Sequence, residues 1–258
     1  MALKVREIQS RGEFDRSREA WNEILRTSGE DDVFLRNEWL GAWWDTYGKG
    51  KEMVVLEVLE GERTVGFAPF AISGRRLSVS KNLEFIGSGP SDRCGILAES
   101  GRADVHAAVW EYMMEREGWS TADLKDLRED CPTAANIARI FPNAERETSV
   151  SPCVSITGTY EDYLRRLEKK NRHSLLRCWR RMSEKHEVTF GLRKPRDAND
   201  DDLREFVRLG KVRWEGTGTD SVLGYPDMVR FIEAAVTALA EEGIPTLHYL
   251  KEGGRTVA

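Results

Sequence analysis

Between Lys169 and Ser183 the chain reads KKNRHSLLRCWRRMS, with six lysines or arginines and no acid. Projected at 100° per residue, Lys169, Lys170, His173, Arg177, Arg180 and Arg181 fall within about 120°, and Leu175, Leu176, Trp179 and Met182 take the opposite side. The plainer reading is a solvated basic face on an amphipathic helix. The functional reading is a cradle for anions: coenzyme phosphates, a nucleotide-linked sugar, a lipid diphosphate or an RNA backbone. Arginine suits that task because its planar fork bonds two phosphate oxygens at once. Arg172 stands apart, projecting between Trp179 and Leu176 on the apolar side. A charge there must find a buried carboxylate or reach into a cleft, because desolvating it alone is costly. That makes Arg172 the leading candidate for a ligand contact.

Arg213 and Trp214 end a predicted helix just before a glycine-rich turn, EGTGTDSVLG, a common place for ligand contacts. Trp214 aligns with Leu203, Phe206, Val207 and Gly210, which predicts core packing for it and leaves Arg213 more open. Asp92 lies in a Gly/Pro/Ser-rich loop, as a ligand contact or a turn-capping carboxylate. Trp39, Trp43 and Trp44 recur at helical spacing and read as core before they read as a stacking surface for a sugar or base. His106, His173, His186 and His248 show no metal-ligand spacing. Cys94, Cys131, Cys153 and Cys178 are scattered without a CxxC, so they read as free thiols in apolar surroundings, with no metal expected.

These groups need elements to hold them. The pattern predicts a strand at 4–9, helices at 13–27 and 37–47, and a hairpin from 53–59 and 63–72. Strand pieces at 83–86 and 95–97 follow, then a helix at 103–116, a strand at 121–127, a helix at 133–140 and a strand at 152–156. A long helix over 160–186 then precedes a strand at 188–192, helices at 201–214 and 226–242, and a hairpin from 246 onward. The hairpins share a phrase. LEVLEGERTVG in the first stands beside LHYLKEGGRTVA at the end of the sequence, and helix pairs precede both. The order therefore predicts a duplicated unit, divided at 1–157 and 158–258, the second cut short where the first runs on into Phe67 to Phe70. Net charge of -5 offers no global pull toward nucleic acid or an anionic surface, so such binding must be local. The N-terminus lacks the apolar core of a signal peptide and no run of about eighteen apolar residues occurs, which predicts a cytoplasmic protein without stable membrane insertion.

FLRNEWLGAWWDTYG, GFAPF, FIGSGPSDRCGIL, YLRRLEKKNRHSLLRCWRRM, KVRW and the final L-x-x-L-x-x-G-G-R-T-V-A, in that order, resemble the CelD-like acetyltransferases of polysaccharide biosynthesis. These are relatives of the Fem-type peptidoglycan aminoacyltransferases. The resemblance implies an α/β mixed-sheet architecture of two GNAT-like acyl-CoA N-acyltransferase units, the first complete and the second partial, with the basic helix inserted. It implies acetyl-CoA or another acyl-CoA as co-substrate and an amine acceptor on a small molecule or a polysaccharide or cell-envelope precursor. Aminoacyl transfer from tRNA is the first alternative, and a non-catalytic binding or scaffolding role the second. Arg172, the Arg213–Trp214 pair and Asp92 match positions in the family's motifs. No run here resembles its Arg/Gln-x-x-Gly-x-Gly/Ala coenzyme signature, so the catalytic residues are expected beyond position 258 and the chain as given is expected to be inactive.

Overall fold

The structure is a computed structural model that describes residues 2–258 apart from 31, 75–79, 156, 186 and 198. In the first unit β1 (Leu3–Ile8) leads to α1 (Arg11–Arg16), α2 (Arg18–Ser28) and α3 (Asn37–Tyr47). Then come β2 (Glu52–Glu60), β3 (Arg63–Ser73), β4 (Asn82–Phe85), β5 (Leu97–Ala98), α4 (Ala103–Glu115), β6 (Thr121–Ala122) and α5 (Pro132–Ile140). The helix expected over 13–27 is two helices, because the Ser17 hydroxyl donates to the Phe14 carbonyl at 2.7 Å and turns the chain between them.

The strands order as β1-β2-β3-β4-β6, antiparallel except for the β4–β6 pair. Strand β3 serves two neighbours on one edge. Gly66 and Phe67 pair with β5, and Phe70 to Ser73 pair with β4. Period-two alternation sends Met53 and Val55 to one face of the sheet and Val54, Leu56 and Val58 to the other. The first face carries α1 to α3, with Phe14, Trp21 and Trp43 buried. The second carries α4 and α5, with Val105, Val109, Trp110 and Met113 buried.

Gly66 is the place that Ala258 holds in the second copy of the shared phrase. A Cβ at Gly66 would meet Val105 Cγ1 at 2.5 Å and the Leu97 carbonyl oxygen at 2.7 Å. Gly66→Ala is therefore expected to lower unfolding free energy by about 1–3 kcal/mol in urea denaturation, the usual cost of overpacking. A change below about 0.5 kcal/mol would mean that β5 and α4 yield freely.

The second unit contains α6 (Tyr160–Arg166), α7 (Lys169–Lys185), β7 (Val188–Arg193), α8 (Asp201–Val212), α9 (Pro226–Ala240), β8 (Leu247–Glu252) and β9 (Arg255–Thr256). Its strands form a separate antiparallel sheet, β7-β8-β9. The long helix expected over 160–186 is broken. Leu167 takes an extended conformation and ends α6, which begins on a Thr159–Asp162 capping box. His186 lies outside the described residues. The strand expected over 152–156 does not form at 152–155, which are exposed and carry no secondary structure, and Ile156 lies outside the described residues. Helix α9 packs on α3 of the first unit. Phe231 is 1% exposed, its ring edge-on to Trp39 at 4.7 Å and 5.9 Å from Tyr47.

Candidate functional site: an exposed basic helix

Helix α7 projects its cations into solvent. Arg177, Arg180 and Arg181 are exposed and Arg172 is half-buried, and among the described residues none of the four is held in an ion pair with a carboxylate. With a rise of about 1.5 Å per residue, the span from Arg172 to Arg181 covers roughly 13 Å, enough for a diphosphate or several backbone phosphates. The stripe opposite is open as well. Leu175 and Leu176 are exposed, as is Trp179, and among the described residues α7 packs closely against no other helix or strand. No buried carboxylate meets Arg172 among the described residues.

Arg213 and Trp214 fall just past the end of α8. The Trp214 amide donates to the Lys211 carbonyl at 3.2 Å, and of the face expected for it Leu203 is buried while Phe206 is 44% exposed, so the C-terminal end of that face is uncovered. Core packing of Trp214 is thereby corrected. It is 40% exposed, with the Arg213 guanidinium 5.7 Å over its ring. The turn from 215 to 220 is exposed, with Gly216 and Gly218 in the left-handed region.

Asp92 sits exposed on the 87–96 loop of the first unit. Several of that loop's backbone donors are taken within the protein. Ser91 N–H donates to the Gly87 carbonyl at 3.1 Å, Cys94 N–H to the Asp126 carbonyl at 2.8 Å, and Ile96 N–H to Thr133 Oγ1 at 3.0 Å. Gly89 N–H donates to the Asp126 carboxylate, whose pKa is nevertheless raised, burial being the largest cause. Asp126 holds φ at 60°, strained for a residue with a side chain. The loop is built around Asp126, and these amides are not left pointing at a ligand.

The tryptophans behave as core. Trp43 is buried and donates to the Ser88 carbonyl at 3.0 Å, while half-buried Trp39 donates to Ser91 Oγ at 2.9 Å. The cysteines divide. Burial pushes the Cys94 thiol up to about 12 and raises Cys131, whereas Cys153 and Cys178 are exposed, contrary to the apolar surroundings expected for all four. In the folded protein iodoacetamide should label Cys153 and Cys178 at least about ten-fold faster than the buried pair, because the thiolate is the nucleophile. Equal rates in peptide mapping would contradict these burials. Among the described residues, no group of three His, Cys, Asp or Glu is placed to hold a metal ion.

Sequence patterns did not reveal a cleft of about 190 Å³ where α1, α3 and α9 meet, lined by Arg11, Asp15, Arg18, Glu38 and Glu241 among others. Glu38 is buried at its edge, accepting from Asn22 Nδ2 at 2.8 Å and lying 3.5 Å from Arg36, which also faces Glu242 of the second unit at 3.6 Å. Its only sequence signal is an acid in the first turn of α3.

Residues 169–258, from the start of α7 to β9, match the family model described as an acetyltransferase (GNAT) domain. The crystal structure of FemX is similar over 96% of this chain, with TM-score 0.58 and 15% identity, and this chain spans 57% of that one. The fold is that of the GNAT acyltransferases. In each sheet helices stand between the first strand and the hairpin: α1 to α3 between β1 and β2, and α8 and α9 between β7 and β8. An aminoglycoside acetyltransferase, HMB0005, from an uncultured soil metagenomic sample is a weaker likeness. It has TM-score 0.38 and 14% identity over 61% of this chain and all of its own. No curated protein sequence matches. The matched segment begins at the basic helix and ends with the shared hairpin.

Proposed function

We propose that this chain serves N-acyl transfer from acetyl-CoA or a related acyl-CoA to an amine on a polysaccharide or cell-envelope precursor, as in the CelD-like branch of the GNAT fold, in the cytoplasm. Its two units divide at 1–157 and 158–258. The observation that carries this reading is the unpaired basic face of α7, standing at the head of the segment that matches an acetyltransferase domain. Arg172, Arg177, Arg180 and Arg181 meet the anionic part of donor or acceptor, and Arg213, Trp214 and Asp92 border the acceptor. Acyl transfer needs a neutral amine, donors for the carbonyl oxygen and a proton for the leaving thiolate. Several amides of the 87–96 loop turn inward, which favours the second unit as the seat of coenzyme binding.

Titration calorimetry with acetyl-CoA tests this. Combined Arg177→Ala, Arg180→Ala and Arg181→Ala substitutions should weaken binding by about ten-fold or more, as lost charge-assisted contacts do. Absence of acetyl-CoA binding, or indifference to the substitutions, would defeat the reading. Transfer from aminoacyl-tRNA is the second reading, supported by the likeness to FemX along 96% of this chain. The same face would then lie on an RNA backbone, and binding of bulk tRNA should fall steeply with salt.

A further inference from the structure

Helix α7 leaves an apolar stripe in water as well as a basic face. Leu175 and Leu176 are each 41% exposed and Trp179 is 50% exposed, without close packing from any other helix or strand among the described residues. On the strand that follows, Phe190 and Leu192 point to one side of the sheet and are exposed too. The exposed leucines and indole of α7 lie on one side of a single helix, and an apolar patch of that kind marks a face that is covered in use. The charges around it narrow what covers it. On the helical projection Lys169 and Arg180 border the stripe beside Leu176, and Arg172 projects within it. A second copy of this chain would bring the same cations face to face, which opposes self-association. An RNA would satisfy the cations and leave the leucines and the indole wet. A bilayer bearing anionic headgroups satisfies both sets at once.

We propose that α7 lies in the surface of an anionic membrane. Leu175, Leu176 and Trp179 sit among the upper acyl chains, and the long arms of Lys169, Arg172 and Arg180 reach the headgroup phosphates. Trp179 suits that depth, because its ring is apolar and its N–H seeks a polar partner. With 17 residues α7 is about 25 Å long, and among the described residues no helix is long and apolar enough to cross a membrane. It therefore lies on the surface without spanning it. Arg177 and Arg181 remain turned away from the lipid. The inference draws on Arg172 and Arg180, which the transferase reading also uses, but its test is separate, since binding to a vesicle requires no acyl donor.

Vesicle flotation decides it. The full chain should float with vesicles of phosphatidylcholine containing one third phosphatidylglycerol, bind pure phosphatidylcholine far more weakly, and detach as salt rises. The double variant Leu176→Glu, Trp179→Glu should bind about ten-fold or more weakly, with an unchanged circular dichroism spectrum because both side chains are already exposed. As a second readout, phosphatidylglycerol brominated on its acyl chains should quench fluorescence of the parent more than that of Trp179→Phe, which itself still floats. The proposal is overturned by failure to float with anionic vesicles, or by equal binding of parent and double variant. It is equally overturned if the parent ignores vesicles and forms a dimer that the double variant loses, or ignores them and binds bulk tRNA as the double variant does.

Discussion

Phe231→Ala should remove about 3–5 kcal/mol of unfolding free energy in urea denaturation, the usual cost of truncating a buried phenylalanine. Phe231 belongs to α9 of the second unit, yet its neighbours are Trp39 and Tyr47 on α3, and it shares one buried cluster with Trp21 and Trp43 of the first. The substitution empties a volume that both units enclose, and neither alone can collapse to fill it. The ion pairs nearby contribute less. Arg36 lies 3.6 Å from Glu242, whose side chain is more than half exposed, and solvent screens such a pair. Glu242→Gln is accordingly a mild control. A loss below about 1 kcal/mol for Phe231→Ala would mean that the α3–α9 contact does not join the units.

The second large effect is a loss of stability in mild acid that His106 causes. His106 lies on α4 at 3% exposure, and its Nδ1 finds no hydrogen-bond partner among the described residues. Burial lowers its pKa from 6.5 to about 4. The unfolded chain takes up a proton near pH 6.5, while the folded chain resists until about pH 4. Stability contributed above pH 6.5 is therefore lost as pH falls through that window, by about 3 kcal/mol at its lower end. Below about pH 4 the folded form is protonated as well and this contribution stops changing. His106→Leu should flatten the stability profile between pH 6.5 and 4 relative to the parent. If the two profiles run parallel in urea titrations, His106 is not the group responsible.

Much of the fold was legible because local periodicity and burial coincide in the first unit. Trp39 and Trp43 repeat every four residues and α3 forms at Asn37–Tyr47 as the spacing predicts. The 53–59 and 63–72 strands pair across a tight turn, with each face of β2 facing its own helix layer. The resemblance to CelD-like and Fem-type proteins pointed to the same architecture, and the likeness to FemX agrees at the level of fold. The candidate site was legible only as an inventory. Charge and amphipathicity picked out α7, but a projection records which residues share a face and not what that face meets.

Tertiary structure decided the rest. Trp214 has the spacing of a core residue, yet nothing covers its end of the α8 face among the described residues, where Phe206 is exposed as well. The 87–96 loop has the glycines of an anion cradle, but Asp126, far along the chain, draws its amides inward. Phe231 resembles any apolar residue of an amphipathic helix, and only the packing of α9 on α3 makes it the joint between units. Sequence by itself determined most of the elements, though not the breaks at Ser17 and Leu167, together with the repeated hairpin and the cations of α7, because dihedral preference and hydrophobic period act over a few neighbouring residues. Which side chains are covered, and by what, is set by contacts between segments distant in the chain, which no local period encodes.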